Sequence, residues 1–335
     1  MGAATGDDAP RRHPPAAAAA TLAAALALGA CGGGGSEGGF PAADGDGLGG
    51  RIVFAGTDEL EWIDPATGEV EPVPDGASFS RRTNATGESA EVDGDSVTLV
   101  DAAGNVTARI PVEGPDPDWA VLSPTSRLVA YVQRLYASDG FTRAAHVSFA
   151  RRDGTDLGFH GPCHDVEWLA GDDAVLACGD AIRYIVPESG AGPSTLADFP
   201  AGSSPNYLVA DPSGTRLAFE LGEREVADND VFRMDTDGSV LQLVAGGLNT
   251  DGPAWSPDGR WIAFRKDIPY AAIRNGIPSG GCPTLWVVRS DVASTVDLEA
   301  AARGGDARAF ELRRAPDGDG NRFAACAWST PLWVP

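Results

Sequence analysis

One short motif recurs along this chain, and its spacing constrains the fold more than any other feature. In the fullest copy, Ala254-Trp255-Ser256-Pro257-Asp258-Gly259-Arg260-Trp261-Ile262-Ala263-Phe264, an apolar run enters a Ser-Pro-Asp-Gly turn and a second apolar run leaves it. Proline presets φ and Gly259 permits φ > 0, so the motif reads as strand, tight turn, strand. Ser123-Pro124-Thr125-Ser126-Arg127-Leu128-Val129-Ala130-Tyr131 and Asp211-Pro212-Ser213-Gly214-Thr215-Arg216-Leu217-Ala218-Phe219 repeat it without gaps, and Gly171 to Cys178 repeats it loosely. With Pro124, Gly171, Pro212 and Pro257 taken as equivalent, the spacings are 47, 41 and 45 residues. A period in the forties, with four short strands per unit, predicts an all-β ring of blades, a β-propeller.

Each repeat divides into strands A to D. In the best copy these are Pro253 to Ser256, Arg260 to Arg265, Thr284 to Arg289 and Ala309 to Arg313. Similar sets begin near Ala120, Val166 and Tyr207, and a weaker set begins near Phe79. At the N-terminal end, Arg51 to Phe54, Leu60 to Ile63 and Val70 to Val73 supply strands B, C and D of a blade that lacks strand A. Ala327-Trp328-Ser329-Thr330 repeats Ala254-Trp255-Ser256-Pro257, so the tail is expected to complete that blade and close the ring. The expectation is a six-bladed propeller over residues 51–335. Gly 43 and Pro 25 fit a chain with this many turns.

The first fifty residues read as an address. Arg11 and Arg12 precede an apolar stretch, Ala16 to Leu28, that is too short to span a bilayer. It runs into Leu28-Gly29-Ala30-Cys31, which resembles a bacterial lipobox, so residues 1–30 are expected to be a lipoprotein signal peptide and Cys31 the lipidated residue. His13-Pro14-Pro15 does not fit a twin-arginine signal. Residues 31–50 form a Gly-rich tether. Within it, Gly45-Asp46-Gly47-Leu48-Gly49-Gly50 matches G-x-G-x-x-G in letters, but a linker precedes it and a strand follows. That is the wrong context for a dinucleotide site.

With Cys31 assigned to lipid, Cys163, Cys178, Cys282 and Cys326 remain, an even number that favours disulfides in an exported protein. Three pairings are possible. In an up-and-down blade the B–C and D–A connections emerge at one end, and all four cysteines fall there. This supports Cys163 with Cys178 and Cys282 with Cys326. The formal charge of −23, with Lys266 the single lysine, repels nucleic acid and anionic headgroups and favours cations or basic partners.

The Ala-Trp-Ser-Pro-Asp-Gly-Arg-Trp-Ile-Ala-Phe segment resembles the repeat of TolB-like propellers, which are WD-repeat-like. The same repeat occurs in the propellers of dipeptidyl peptidase IV-like and prolyl oligopeptidase-like enzymes. The resemblance covers residues 51–335 and implies the fold. Members of such families include periplasmic scaffold proteins that bind other envelope proteins, peptidase gating domains and a few lyases, so it implies no single activity.

Few residues suggest chemistry. G-x-S-x-G, H-E-x-x-H and a P-loop are all absent from the sequence, so no catalytic residue and no cofactor is expected. His160 and His164 flank Gly161-Pro162-Cys163, and Asp317 and Asp319 begin a segment like a calcium loop. Position 6 of that loop is Arg322 and position 12 is Trp328, so these four are weak metal candidates. The long excursion 267–281 carries Ile268, Tyr270, Ile273 and Ile277 and is a candidate partner loop. Residues 296–304 suggest a short surface helix. The leading expectation is a monomeric, membrane-anchored, non-catalytic lipoprotein of the bacterial envelope, periplasmic or at the cell surface, that binds protein partners. The alternative is a propeller holding a metal or a sugar in its central channel, as a lyase or hydrolase accessory.

Overall fold

The computed structural model describes residues 48–56, 59–74, 87–136, 142–223, 226–246, 249–266, 282–303, 306–314, 325, 327, 329 and 331–335. The expected signal peptide, Cys31 and tether therefore lie outside the described residues, apart from the last three positions of the tether. The described part is nearly all β, with one short α-helix.

The strands form six sheets in chain order. β1 (Arg51–Ala55), β2 (Leu60–Ile63) and β3 (Val70–Pro72) are followed by β4 (Ser89–Asp93), β5 (Ser96–Val100) and β6 (Val106–Pro111). The third sheet is β7 (Pro117–Leu122), β8 (Leu128–Tyr136), β9 (Thr142–Arg151) and β10 (Asp156–His160). The fourth is β11 (Asp165–Trp168), β12 (Ala174–Cys178), β13 (Ala181–Ile185) and β14 (Ser194–Asp198). β15 (Ser203–Ala210), β16 (Arg216–Glu223), β17 (Val226–Asp235) and β18 (Gln242–Gly246) make the fifth. β19 (Thr250–Trp255), β20 (Trp261–Lys266), β21 (Thr284–Arg289) and β23 (Ala309–Glu311) make the sixth. Within each sheet, neighbours in sequence pair antiparallel, as short polar turns between apolar runs require.

The last strand, β24 (Leu332–Val334), pairs with β1 in the register Arg51↔Val334, Ile52↔Trp333 and Val53↔Leu332. The tail thus completes the first sheet, but with different residues from those expected. Ala325 and Ala327 bond instead to the sixth sheet, through Leu312, Leu285 and Pro283, and Ser329 Oγ accepts from Ala55 N–H at 2.8 Å. Four letters of likeness at 327–330 outweighed the better strand pattern at Leu332-Trp333-Val334, where Trp333 alone of the three is buried. Trp328 lies outside the described residues.

Five apolar clusters join consecutive sheets. Leu99 and Tyr131 belong to the seam between the second and third sheets, and Phe149 and Leu176 to the next. Val175 and Phe219, then Ile262 and Val231, continue the series, and Phe54 with Ala263 joins the sixth sheet to the first. The residues that link the first sheet to the second, 75–86, are outside the described set, as is the strand expected near Phe79. Phe264, Phe219 and Tyr131 hold the same place in three copies of the motif. Fully burying each such ring contributes roughly 2–3 kcal/mol.

Residues 296–304 hold the short helix expected, but it is not confined to the surface. β22 (Val296–Asp297) pairs parallel with β18, making the fifth sheet five-stranded, and α1 (Leu298–Ala302) follows, its N-cap supplied by Asp297 to Glu299 and Ala300 N–H. Val296, Leu298 and Ala301 are buried in the seam between the fifth and sixth sheets. The insertion therefore seals a seam. Its alanines hid that role, because a helix of five residues has too few turns to show an apolar stripe.

Candidate functional site

The two ends of the sheets are built differently. At one end lie the A–B and C–D turns, tied by side chains. Ser256 Oγ accepts from Trp261 N–H, Ser123 Oγ from Leu128 N–H and Asp211 Oδ1 from Arg216 N–H, in each case five residues on. The fourth sheet has Leu169 at this place, which cannot accept; the turn is held by Leu169 N–H to Asp173 O instead. Trp168 and Trp255 then coincide, each donating its indole N–H to the innermost strand of the preceding sheet, at Val121 O and Val209 O. The residue equivalent to Pro257 is accordingly Ala170, one position before the Gly171 used in the sequence alignment. Arg216 also reaches across a seam at this end, donating to Gly259 O and Ser290 Oγ.

The other end carries the cavity. A space of about 320 Å³ opens where β7, β11 and β15, the first strands of three consecutive sheets, converge. Trp119, Arg134, His164, Asp165, Glu167, Asn206 and Tyr207 are among its walls. Asp165 Oδ2 accepts from Leu208 N–H at 2.9 Å and Glu167 Oε1 from Ala210 N–H at 3.1 Å, so two carboxylates of one sheet hold the first strand of the next. Arg134 meets Asp118 at 3.1 Å.

Tyr207 sits at a β-bulge with φ 50 and remains 44% exposed. In the sixth sheet the matching bulge holds Gly252 at φ 61, the residue type suited to left-handed backbone. A bulky residue in that conformation costs of order 1–3 kcal/mol, and such strain concentrates where a side chain has work to do.

Beside the cavity is a carboxyl with an unusual environment. Glu220 pairs in register with Asn206, so the two side chains share one face of the sheet. It is 4% exposed, and its Oε2 has no hydrogen-bond partner among the described residues. Burial, reinforced by the charge of Asp251, pushes its pKa up to about 8, while the Gly252 N–H and Arg265 pull the other way. The sixth sheet places Asp251 and Arg265 at the positions matching Asn206 and Glu220. There they form a two-pronged ion pair at 2.9 and 2.5 Å.

Of the residues expected from sequence, Cys163 and Cys178 are disulfide-bonded to each other at the cavity end, Cys163 adjoining His164 on the wall. Cys282 is also disulfide-bonded. Cys326 falls outside the described residues, as do Cys31, Ile268, Tyr270, Ile273, Ile277, Asp317 and Asp319. His160 and His164 diverge: His160 packs edge-on against Phe149, and burial holds its pKa down, whereas His164 Nε2 meets Pro205 O at 2.9 Å. Among the described residues no group of three or more His, Cys, Asp or Glu is arranged to hold a metal ion. Trp119, Glu167, Tyr207 and Glu220 were not singled out from sequence. Aligning the copies beyond the turn, so that Tyr207 falls on Gly252 and Glu220 on Arg265, would have marked two of them.

The chain matches no protein-family model. It is 28% identical over 157 residues to an uncharacterized protein of Agrobacterium fabrum, a match covering 44% of this chain and 48% of that one. The chain thus spans about half the length of the curated relative it matches. Among solved structures it is similar to a protein provisionally described as TolB from Agrobacterium tumefaciens, with 13% identity, TM-score 0.48, and 85% and 98% of the two chains covered. It is also similar to the hydrazine synthase of Kuenenia stuttgartiensis, with 16% identity, TM-score 0.45, and 65% and 67% covered. A third likeness is to an oligogalacturonate lyase in complex with manganese, with 13% identity, TM-score 0.41, and 70% and 72% covered. At these levels no ligand and no activity transfers to this chain.

Proposed function

We propose that the chain is a six-bladed β-propeller of the bacterial envelope, exported and lipid-anchored through Cys31, that acts as a non-catalytic protein-interaction module. One observation carries the reading. The end of the sheets where the Cys163–Cys178 disulfide lies also holds a walled polar cavity and a strained, half-exposed Tyr207. The six consecutive sheets and the β24–β1 pairing support the ring and its blade count. The disulfide supports export, since such bonds persist in oxidising compartments.

The partner engages the cavity end, where an aromatic side chain, carboxylates and a ring of first strands offer both apolar and polar contact. The test uses the lipid-free chain from residue 32 as bait in envelope extracts. A specific partner is retained by the wild-type chain and by Val240→Ser, which alters an exposed residue at the turn end, and is lost with Tyr207→Ser. A partner lost with Val240→Ser but kept with Tyr207→Ser would contradict the assignment of the binding end.

A further inference from the structure

We infer that an apolar groove at the turn end is the receptor for the chain's own Phe40-Pro41, so that the tether is clasped where it meets the sheets; this goes beyond the interaction-module reading, and its test does not depend on it. The groove encloses about 320 Å³ where β15, β19 and β24, edge strands of the fifth, sixth and first sheets, converge. Pro212, Pro253, Trp255, Pro257, Trp333 and Pro335 are among its walls. Every wall that the described residues supply is apolar, in a chain whose formal charge is −23. The indole N–H groups of Trp255 and Trp333 donate to Val209 O and Gly49 O, so what the two rings offer the groove is carbon surface. Walls of proline and tryptophan without charge suit an apolar, proline-containing segment held extended.

The place where the tether joins the sheets identifies the occupant. Gly49 O accepts from Trp333 Nε1 at 3.0 Å, and a Cβ on Gly50 would stand 3.2 Å from both Pro257 Cγ and Trp333 Nε1. Leu48 packs against the apolar cluster that contains Ala254 and Trp333, two walls of the groove. The tether therefore leaves the described residues at the groove's rim. Between Cys31 and Leu48, Phe40 and Pro41 are the only bulky apolar residues; the others are Gly, Ala, Ser, Asp and Glu. A flexible Gly-rich span from Leu48 back to Phe40 has a root-mean-square length of about 16 Å. A linker that short gives an effective concentration on the order of millimolar, so a weak intrinsic affinity fills the groove. Pro41 fixes its own φ and biases Phe40 to extended backbone, which lowers the entropy cost of docking. With Cys31 lipidated, as proposed above, the clasp holds the turn end toward the membrane and leaves the cavity end to partners.

The experiment places p-benzoylphenylalanine at position 40 of the lipid-free chain from residue 32, irradiates it, and maps the cross-links by mass spectrometry. They fall within 209–212, 253–257 and 332–335, at a yield independent of protein concentration. Cross-links that join two chains and rise with concentration would give the groove to a second copy. Cross-links scattered away from these residues would separate the tether from the groove, and either result overturns the inference. Calorimetry with a capped peptide of residues 38–43, Gly-Gly-Phe-Pro-Ala-Ala, supplies the second reading. The peptide binds the Phe40→Ser chain at least about tenfold more tightly than the wild-type chain, in which the tether competes from the same molecule. Equal binding to both chains, or no binding to Phe40→Ser, would overturn the clasp. The substitution lies in the tether, so the thermal transition of Phe40→Ser shows the sheets intact. Partner capture through Tyr207 by the Phe40→Ser chain reports on the cavity end alone, so the two readings fail separately.

Discussion

The two ends of these sheets solve opposite problems. At the turn end most loops are short and close on themselves, the connection from β21 to β23 with β22 and α1 being the exception: Asp211 accepts from Thr215 N–H, Arg216 N–H, the Arg216 guanidinium and Ser213 Oγ, all within five residues. Ties from there to the next sheet include Arg216 to Gly259 O. At the cavity end the described B–C hairpins are tight, as at 94–95 and 179–180, and a disulfide joins Cys163 to Cys178. A tyrosine takes a conformation that suits glycine, and a buried carboxyl oxygen stays without a hydrogen bond. The first end spends its polar groups on stability. Left-handed strain occurs at both ends, at Val240 in a turn and at Tyr207 in the bulge; what sets the second end apart is that its strained residue and a buried carboxyl oxygen unpartnered among the described residues adjoin a cavity, which is where binding free energy can be gained.

The largest expected effect concerns Glu220. Below its ordinary value of 4.5 the carboxyl is protonated in folded and unfolded chains alike. Above it the unfolded chain ionises, while the folded one stays protonated until about 8, so stability falls as pH rises through that window and levels off beyond it. At 1.36 kcal/mol per pH unit the loss approaches about 5 kcal/mol. Glu220→Gln should flatten this part of the profile in urea melts between pH 4.5 and 8. An unchanged slope would show that the cavity end does not carry the strained group.

Next is the disulfide. Replacing Cys163 and Cys178 with serine releases a loop of 15 residues and should cost about 3 kcal/mol, read as a lowered denaturation midpoint with m rising as the unfolded chain loses its cross-link. The comparison also ranks the turn end internally. Asp211→Ala removes a buried carboxylate with several donors, among them Arg216, and should cost about 2–3 kcal/mol. Ser256→Ala, which loses the bond to Trp261 N–H, should cost about 1 kcal/mol. Equal costs would mean that the ion pair adds nothing.

The smallest effect has the opposite sign. Tyr207→Gly relieves the left-handed strain and, after the entropy of a glycine is subtracted, should stabilise the fold by about 1 kcal/mol while weakening binding. Differential scanning calorimetry checks the first half of this trade. A destabilised Tyr207→Gly protein would show that the tyrosine serves packing.

Legibility in the sequence followed the same division. The turns were readable because their causes are local: proline, a capping Ser or Asp, and a glycine fall within six letters, and strand β21 runs over Thr284–Arg289 as expected. The cavity was not readable, because Trp119, Glu167 and Tyr207 lie far apart in the chain and meet only when three sheets converge. The closing strand was misplaced by a few residues, since a four-letter likeness carries less information than the pairing of Trp333 with Ile52. The role of 296–304 was hidden because burial of Leu298 and Ala301 depends on a seam between sheets, which no window of residues displays.

Hydrogen exchange of the chain with and without the partner captured from envelope extracts tests the asymmetry of the two ends most directly. The account predicts slowed exchange at 164–167 and 206–208 and unchanged exchange in the turns at 211–215 and 236–239. Protection confined to those turns, with 206–208 unaffected, would contradict it.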